Sequence, residues 1–252
     1  MSKVFSALAV SVDGYITGRD PGSGRGLGDA TMLFDWYFDG DTPSRVFDGF
    51  TLSEASARVF DDLAGRIGAV VAGRNTYEDS EGFDGGSPHP AAPLFVASHR
   101  PIPGISGRQT LVTTGIEDAI QAARRTAGDK DVALMGGGVL TEALAAGLVD
   151  EFVLHQVPVL LGGGRPFFQA LPEQIRLRLV EAVPAPGVTH LWYEVARDEV
   201  ARNDATRNDT AQNDTARDDT ARDDTARDDT ARDDTARDDT AGNEATRDEV
   251  AR

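Results

Sequence analysis

The chain has 252 residues, a formal net charge of −17 and no cysteine, which excludes a disulfide scaffold and a thiolate zinc site. Acid exceeds base in both the body and the last fifty-odd residues, so no basic face exists to drive binding to a nucleic-acid backbone. No apolar run approaches the roughly 18 residues of a membrane span. No basic-then-apolar leader precedes a small-residue cleavage site, so the expected location is cytoplasmic, with no membrane partner.

Residues 4–12 (VFSALAVSV) are short, apolar and followed by the Asp13-Gly14 turn, the pattern of a buried strand. Gly22 to Gly28 read as a flexible glycine-rich loop. Residues 31–38 (TMLFDWYF) form a helix or a loop folded over a site. Ala55, Val59, Phe60 and Leu63 recur at helical spacing behind Ser53, a plausible N-cap. Further strands are expected at 67–72, 93–97, 109–113 and 131–135, with helices at 116–126 and 139–146. Residues 151–161 read as one long strand that is bent or at an edge, because Pro158 lies inside it. Segments 176–183 and 188–196 alternate as a closing antiparallel hairpin. Strands alternating with helices, then strands alone, give an α/β protein with a mixed, mostly parallel central sheet and an antiparallel C-terminal hairpin.

Residues 198–252 form a separate low-complexity tail built on an ARDDT repeat. Its Asp218→Arg222 type pairs, at i,i+4, offer about 0.2–0.5 kcal/mol each. Two Asp and a Thr per repeat cost about 1.5–2 kcal/mol against Ala. The cost is larger, so a disordered or fraying-helix tail is expected, with no chemistry of its own.

Three strand ends offer groups suited to phosphate. The strand in VVAGRNTYE ends at Gly73, and Arg74, Asn75 and Thr76 open a helix whose free N–H groups favour an anion. Arg74 adds a guanidinium fork. In LMGGGVLTEAL, Gly136, Gly137 and Gly138 let backbone approach a pyrophosphate before another helix starts. This is neither a G-x-G-x-x-G fingerprint nor a Walker A loop. Ser98, His99 and Arg100 close the strand of FVASHRP, where α/β sheets present ligands. Each is also readable as an ordinary turn. Together, in a parallel-centred sheet, they lie along one edge.

The segments SALAVSVDGYITG, AGRNTYE, VASHRP and MGGGVLTEALAAGLVDEFVLHQVPVLLGGGRPFF, in that order, resemble the dihydrofolate-reductase-like superfamily. Within it the pattern is most similar to the riboflavin-biosynthesis reductases, the RibD C-terminal domain family, over residues 1–197. The resemblance implies a dihydrofolate-reductase-like three-layer fold and NADPH as cofactor. It implies Arg74 and Thr76 on the 2′-phosphate and pyrophosphate, and Ser98 with Arg100 beside the adenine ribose phosphate. Gly73 closes the strand at this site, Gly136, Gly137, Gly138, Val139 and Leu140 cradle the pyrophosphate, and Ala9 and Ile16 line the nicotinamide. The implied reaction is hydride transfer to a small heterocyclic or ribosylaminopyrimidine substrate; a dihydrofolate or pterin reductase and a non-catalytic NADPH-binding protein are the alternatives. The zinc deaminase domain of bifunctional relatives has no counterpart here, since its P-C-x-x-C pattern needs cysteine.

On the substrate side, Asp35 is the candidate proton-donating carboxylate and Asp13 the alternative, with a turn at Asp13-Gly14 as its structural role. Trp36 is a candidate to stack on a flat heterocycle. Glu78 could orient Arg74 or face solvent. His155 and His190 fall within strands and read as core or sheet-face residues, and no His/Asp/Glu set has metal spacing. The edge formed by the last strands could be covered by a second copy in a homodimer.

Overall fold

The computed structural model describes residues 2–196; the ARDDT repeats, and with them the expectation of a disordered or fraying-helix tail, lie outside the described residues. Apolar runs become strands and amphipathic runs become helices in the following order. β1 (Val4–Ser11) leads into a 3₁₀ turn at Thr31–Tyr37 and a short pairing of β2 (Thr42–Pro43) with β3 (Thr51–Leu52). Then come α1 (Glu54–Gly65), β4 (Ile67–Gly73), α2 (Arg74–Asp79), β5 (Leu94–Ala97), β6 (Gln109–Val112) and α3 (Ile116–Ala127). β7 (Asp131–Met135), α4 (Gly137–Ala145), β8 (Glu151–Val157), β9 (Leu177–Ala185) and β10 (Val188–Val195) complete the described chain.

The main sheet has the order β6-β5-β4-β7-β1-β8-β10-β9. Its first six strands are parallel, and β10 runs antiparallel to both β8 and β9. Side-chain alternation divides the core into layers. Val4 and Val10 of β1 and Ala69 and Val71 of β4 face Ile120 and Ala123 of α3 and Leu140 and Leu144 of α4. On the opposite face, Phe5 packs with Val59 and Leu63 of α1. Helices therefore cover both sides of a mixed sheet, as the three-layer expectation requires. Ser53 caps α1, its Oγ accepting from the Ser56 amide.

Because the parallel strands point one way, their ends form two edges. At the N-terminal edge the fully buried Glu151 meets Lys3 Nζ at 2.5 Å and pairs with Arg66. Arg66 Nε also reaches Asp131 at 2.7 Å, and its guanidinium lies 4.6 Å from the Phe5 ring centre. At the C-terminal edge the strands end in turns and helix starts that leave a cleft.

Three expectations change. β8 stops at Val157, because Pro158 has no N–H to continue a ladder. α4 begins at Gly137, so two of the three glycines belong to its first turn. Gly22 to Gly28 is not a free loop: Gly22 and Gly26 form a bridge, and the Gly18 amide donates to the Leu27 carbonyl at 2.8 Å.

Candidate active site

The C-terminal edge opens into a cleft of about 1130 Å³. Its floor comes from the ends of β1, β4, β5 and β7, and it has two chemically different halves.

One half is backbone and arginine. α2, α3 and α4 all start here, with Arg74, Asn75 and Thr76, Gly115 and Ile116, and Gly136 to Val139 lining it. Gly136 has φ 110°, and a Cβ there would lie 2.4 Å from Thr76 Oγ1. A Cβ on Gly137 would lie 2.3 Å from the Pro166 carbonyl oxygen. These glycines let α4 start wedged between α2 and the 161–168 segment. Gly115 and Gly138 instead leave bare backbone beside open cleft: a Cβ on Gly115 would meet nothing within 4 Å, and one on Gly138 only Gln169 Nε2 at 3.6 Å. Arg74 pairs with Glu78 at 2.6 Å, so Glu78 orients the guanidinium. Ser98 Oγ donates to the Arg100 carbonyl at 2.8 Å and accepts from the Arg100 amide at 3.2 Å, fixing the turn that carries Arg100.

The other half is aromatic. Phe34 and Tyr37 of the 3₁₀ turn and Phe38 directly after it, with Phe47, Phe50 and Phe60, form its walls. Tyr37 lies 4.8 Å from Phe50 and 5.2 Å from Phe60, centroid to centroid. His89 and His155 also line it. His89 Nε2 donates to the Ala64 carbonyl at 3.1 Å, while Nδ1 accepts from the Ala91 and Ala92 amides. Burial pushes its pKa down, and both ring nitrogens are used. His155 Nδ1 lies 2.8 Å from His190 Nδ1, and His190 Nε2 lies 3.0 Å from Ser56 Oγ. Burial pushes His190 down to about 4 and, with His190 beside it, His155 well below the ordinary histidine range.

The structure brings Ala9, Ile16, Gly73, Arg74, Thr76, Ser98, Arg100, Gly136, Gly137, Gly138 and Val139 to this one cleft. It does not bring Leu140, which is fully buried in the core against α3. Asp35 and Trp36 also fall outside the lining, for a shared reason. A 3₁₀ turn has three residues per turn, so Leu33 and Trp36 stack on its buried stripe while Phe34 and Tyr37 share the cleft stripe. Trp36 lies beneath the wall, 4.0 Å from Tyr37 and 5.0 Å from His155 by ring centres. Asp35 is left exposed outside the cleft.

Asp13 is a clamp outside the lining. It accepts from Ser11 Oγ at 2.6 Å and from the Leu161 and Gly162 amides at 3.1 and 2.7 Å. The Ser11 hydroxyl foremost, with those amides, holds its carboxyl down to about 2. The clamp is one stitch in a seam: the Ile16 amide donates to Arg165 O at 2.8 Å, the Arg165 amide to Thr17 Oγ1 at 2.9 Å, and the Phe167 amide to Gly14 O at 2.8 Å. The seam carries Arg165, Pro166 and Gln169 into the cleft, where Arg165 pairs with Asp79. Reading strand ends alone missed these residues, although the LLGGGRPFF run marked the segment. It also missed the phenylalanines, of which Phe34 and Phe38 lie in the aromatic-rich TMLFDWYF stretch, and His155, which reads as a core or sheet-face residue of its strand.

Among the described residues, no group of three or more His, Cys, Asp or Glu side chains is placed to hold a metal ion. No helix of the described residues is long and apolar enough to cross a membrane.

Residues 2–191 match the model of the RibD C-terminal domain. The uncharacterized protein YwjB of Bacillus subtilis (strain 168) is 23% identical over 172 residues, covering 68% of this chain and 86% of that protein. Among solved structures, a Shewanella sp. PV-4 protein provisionally named as one of riboflavin biosynthesis is 28% identical, with a TM-score of 0.56, covering 78% of this chain and all of that one. Dihydrofolate reductase from Enterococcus faecalis, complexed with NADP(H) and RAB-propyl, shares the fold at 16% identity and a TM-score of 0.50, covering 77% of this chain and 97% of that one.

Proposed function

The chain belongs to the RibD C-terminal domain family, and from that premise we propose that it is a cytoplasmic NADPH-dependent reductase of a flat heterocyclic substrate, with ribosylaminopyrimidines the first class to test. One observation carries the reading: a glycine-lined helix start flanked by arginines and a ring-lined pocket are halves of one continuous cleft. Its volume exceeds the roughly 300–1,000 Å³ of a site for one drug-sized ligand.

The residues fit the cofactor. Bare backbone at Gly138 and Gly115 gives a phosphate chain room to approach the starts of α4 and α3. Arg74 and Arg100 supply charge for a 2′-phosphate, with Thr76 and Ser98 as hydroxyl partners. Ala9 and Ile16 offer a small apolar floor for the nicotinamide, which supplies a hydride when bound. Phe34, Tyr37 and Phe38 can sandwich a flat ring against that floor and exclude water.

The test is a paired titration with NADPH and NADH, followed by NADPH oxidation against a panel of ribosylaminopyrimidines and pterins. The reading expects micromolar or tighter NADPH binding, weaker NADH binding and turnover with at least one ring system. Absence of NADPH binding would remove it. Tight binding with no oxidation across the panel would favour a binding protein of the same fold.

A further inference from the structure

We propose that His155 is the proton donor of the reduction, resupplied through a hydrogen-bonded relay of His190, Ser56 and Ser53. The inference rests on the reductase reading and adds the proton that reading leaves unassigned.

Hydride addition to a C=N or C=C bond leaves an electron pair on the second atom, which must take a proton. Neither Asp13 nor Asp35 lines the cleft. The carboxylates that do line it are Asp79, held by Arg165, and Glu142 on α4, both belonging to the glycine and arginine half. The titratable side chains lining the aromatic half are Tyr37, His89 and His155. Burial pushes the Tyr37 hydroxyl up, and both nitrogens of His89 are committed.

His155 differs from both. It is 1% exposed and lines the cleft, its Nδ1 is held by His190, and no hydrogen bond engages its Nε2 among the described residues. On the β1–β8 ladder its register partner is Ala9, so the two residues share the face that floors the cleft. Ala9 is where the reading places the nicotinamide.

The relay behind it is continuous. His190 is the register partner of His155 on β10, and the two Nδ1 atoms are 2.8 Å apart. One ring must donate and the other accept. His190 Nε2 meets Ser56 Oγ at 3.0 Å, and Ser53 Oγ donates to Ser56 Oγ at 3.0 Å. Ser53 is half-buried at the start of α1, where water can reach it. Burial keeps both imidazoles neutral at pH 7, as a relay working by tautomer exchange requires.

At rest the Ser56 hydroxyl donates to His190 Nε2, His190 Nδ1–H donates to His155 Nδ1, and His155 Nε2–H points to the substrate. As hydride arrives at one substrate atom, the Nε2–H bond breaks and its proton goes to the other. His155 Nδ1 takes the proton of His190 Nδ1, His190 Nε2 takes that of Ser56, Ser56 takes that of Ser53, and Ser53 recovers one from water. Both rings stay neutral, whereas an isolated neutral imidazole would be left as an anion. The substrate gains a hydride from the reduced nicotinamide dinucleotide and a proton drawn from solvent. Water entering the emptied cleft then reprotonates Nε2, and the relay runs back.

The first test is ¹⁵N–¹H correlation NMR on the ligand-free wild-type chain at pH 7. The expected result is two neutral rings, His155 protonated at Nε2 and His190 at Nδ1. A doubly protonated His155, or one protonated only at Nδ1, would overturn the proposal. The second is kinetic: His155→Gln should lower kcat by about 10²- to 10⁴-fold, with NADPH affinity within twofold of wild type. Ser56→Ala should lower kcat and enlarge the solvent isotope effect at unchanged KM, and Ser56→Thr should restore both. Unchanged kcat in a folded His155→Gln chain sinks the proposal. Failure of the wild type to bind NADPH sinks the reductase reading instead. If His155→Gln does not fold, the wild-type NMR result decides; if NADPH binds but no substrate turns over, the reductase reading fails and this proposal falls with it.

Discussion

The two edges of the central sheet use opposite solutions to the same problem. Six parallel strands present unpaired backbone at both ends. At the N-terminal edge Glu151, Asp131, Arg66 and Lys3 close on one another, so long charged side chains pair across the strand starts. At the C-terminal edge glycines and short side chains stand where those strands end, and three helix starts are left facing a cavity. The difference is one of burial and backbone: a fully buried carboxylate is neutralised at one edge, and bare backbone with partly exposed arginine pairs faces the cleft at the other.

The comparison can be broken most forcefully at Arg66. Replacing it with Met keeps packing against Phe5 but leaves the buried Glu151 with Lys3 alone. Breaking a buried pair costs about 3–5 kcal/mol, and the low end applies because the Arg66 side chain is 27% exposed. Denaturant melts should show that loss, with NADPH affinity unchanged in the folded fraction. A tenfold change in affinity would mean that the edges are coupled.

Gly137 and Gly138 sharpen the comparison within the cleft edge. Gly137→Ala forces a Cβ against the Pro166 carbonyl and should cost about 1–3 kcal/mol, as overpacking does. Gly138→Ala meets no such contact and should raise stability by about 0.5–1 kcal/mol through helix propensity. It should nevertheless weaken NADPH, because its methyl group occupies the approach to α4. Unchanged affinity in that variant would remove Gly138 from the proposed cradle.

Arg74→Ala tests charge at the same edge. NADPH affinity should fall about tenfold or more, near the 1.5–3 kcal/mol of a hydrogen bond to a charged group, with NADH barely affected. Equal weakening of both cofactors would refute a 2′-phosphate role.

The smallest effect belongs to Asp13. Its carboxyl is held down to about 2 in the fold against about 3.9 in an unfolded chain. The clamp is therefore fully present above about pH 4 and is lost as pH falls through 2. Asp13→Asn should remove that acid dependence and lower stability at pH 7 slightly, toward the value the wild type shows at low pH, read from thermal melts across pH 2–7.

The glycine and arginine half was legible because each part is local. A buried strand, a turn and a helix start lie within about ten residues in VVAGRNTYE and LMGGGVLTEAL, and parallel pairing brings such ends to one edge. Asp35 and Trp36 lie outside the cleft lining because the 3₁₀ turn buries Trp36 with Leu33 on one stripe and leaves Asp35 in solvent, a period that seven aromatic-rich positions do not disclose.

By itself the sequence determined which segments are strands and helices, the parallel centre with its antiparallel hairpin, and the phosphate-suited edge. Short-range periodicity and turn chemistry are enough for those. Tertiary structure alone decided the aromatic half and the hydrogen-bonded histidine pair behind it. Ser56 and His190 are 134 residues apart in the chain, and His155 and His190 are 35 apart. They meet only because α1 covers one face of the sheet and β10 pairs with β8 in one register. In any other register the alternation of side chains would turn one of the two histidines to the opposite face or part them along the strand.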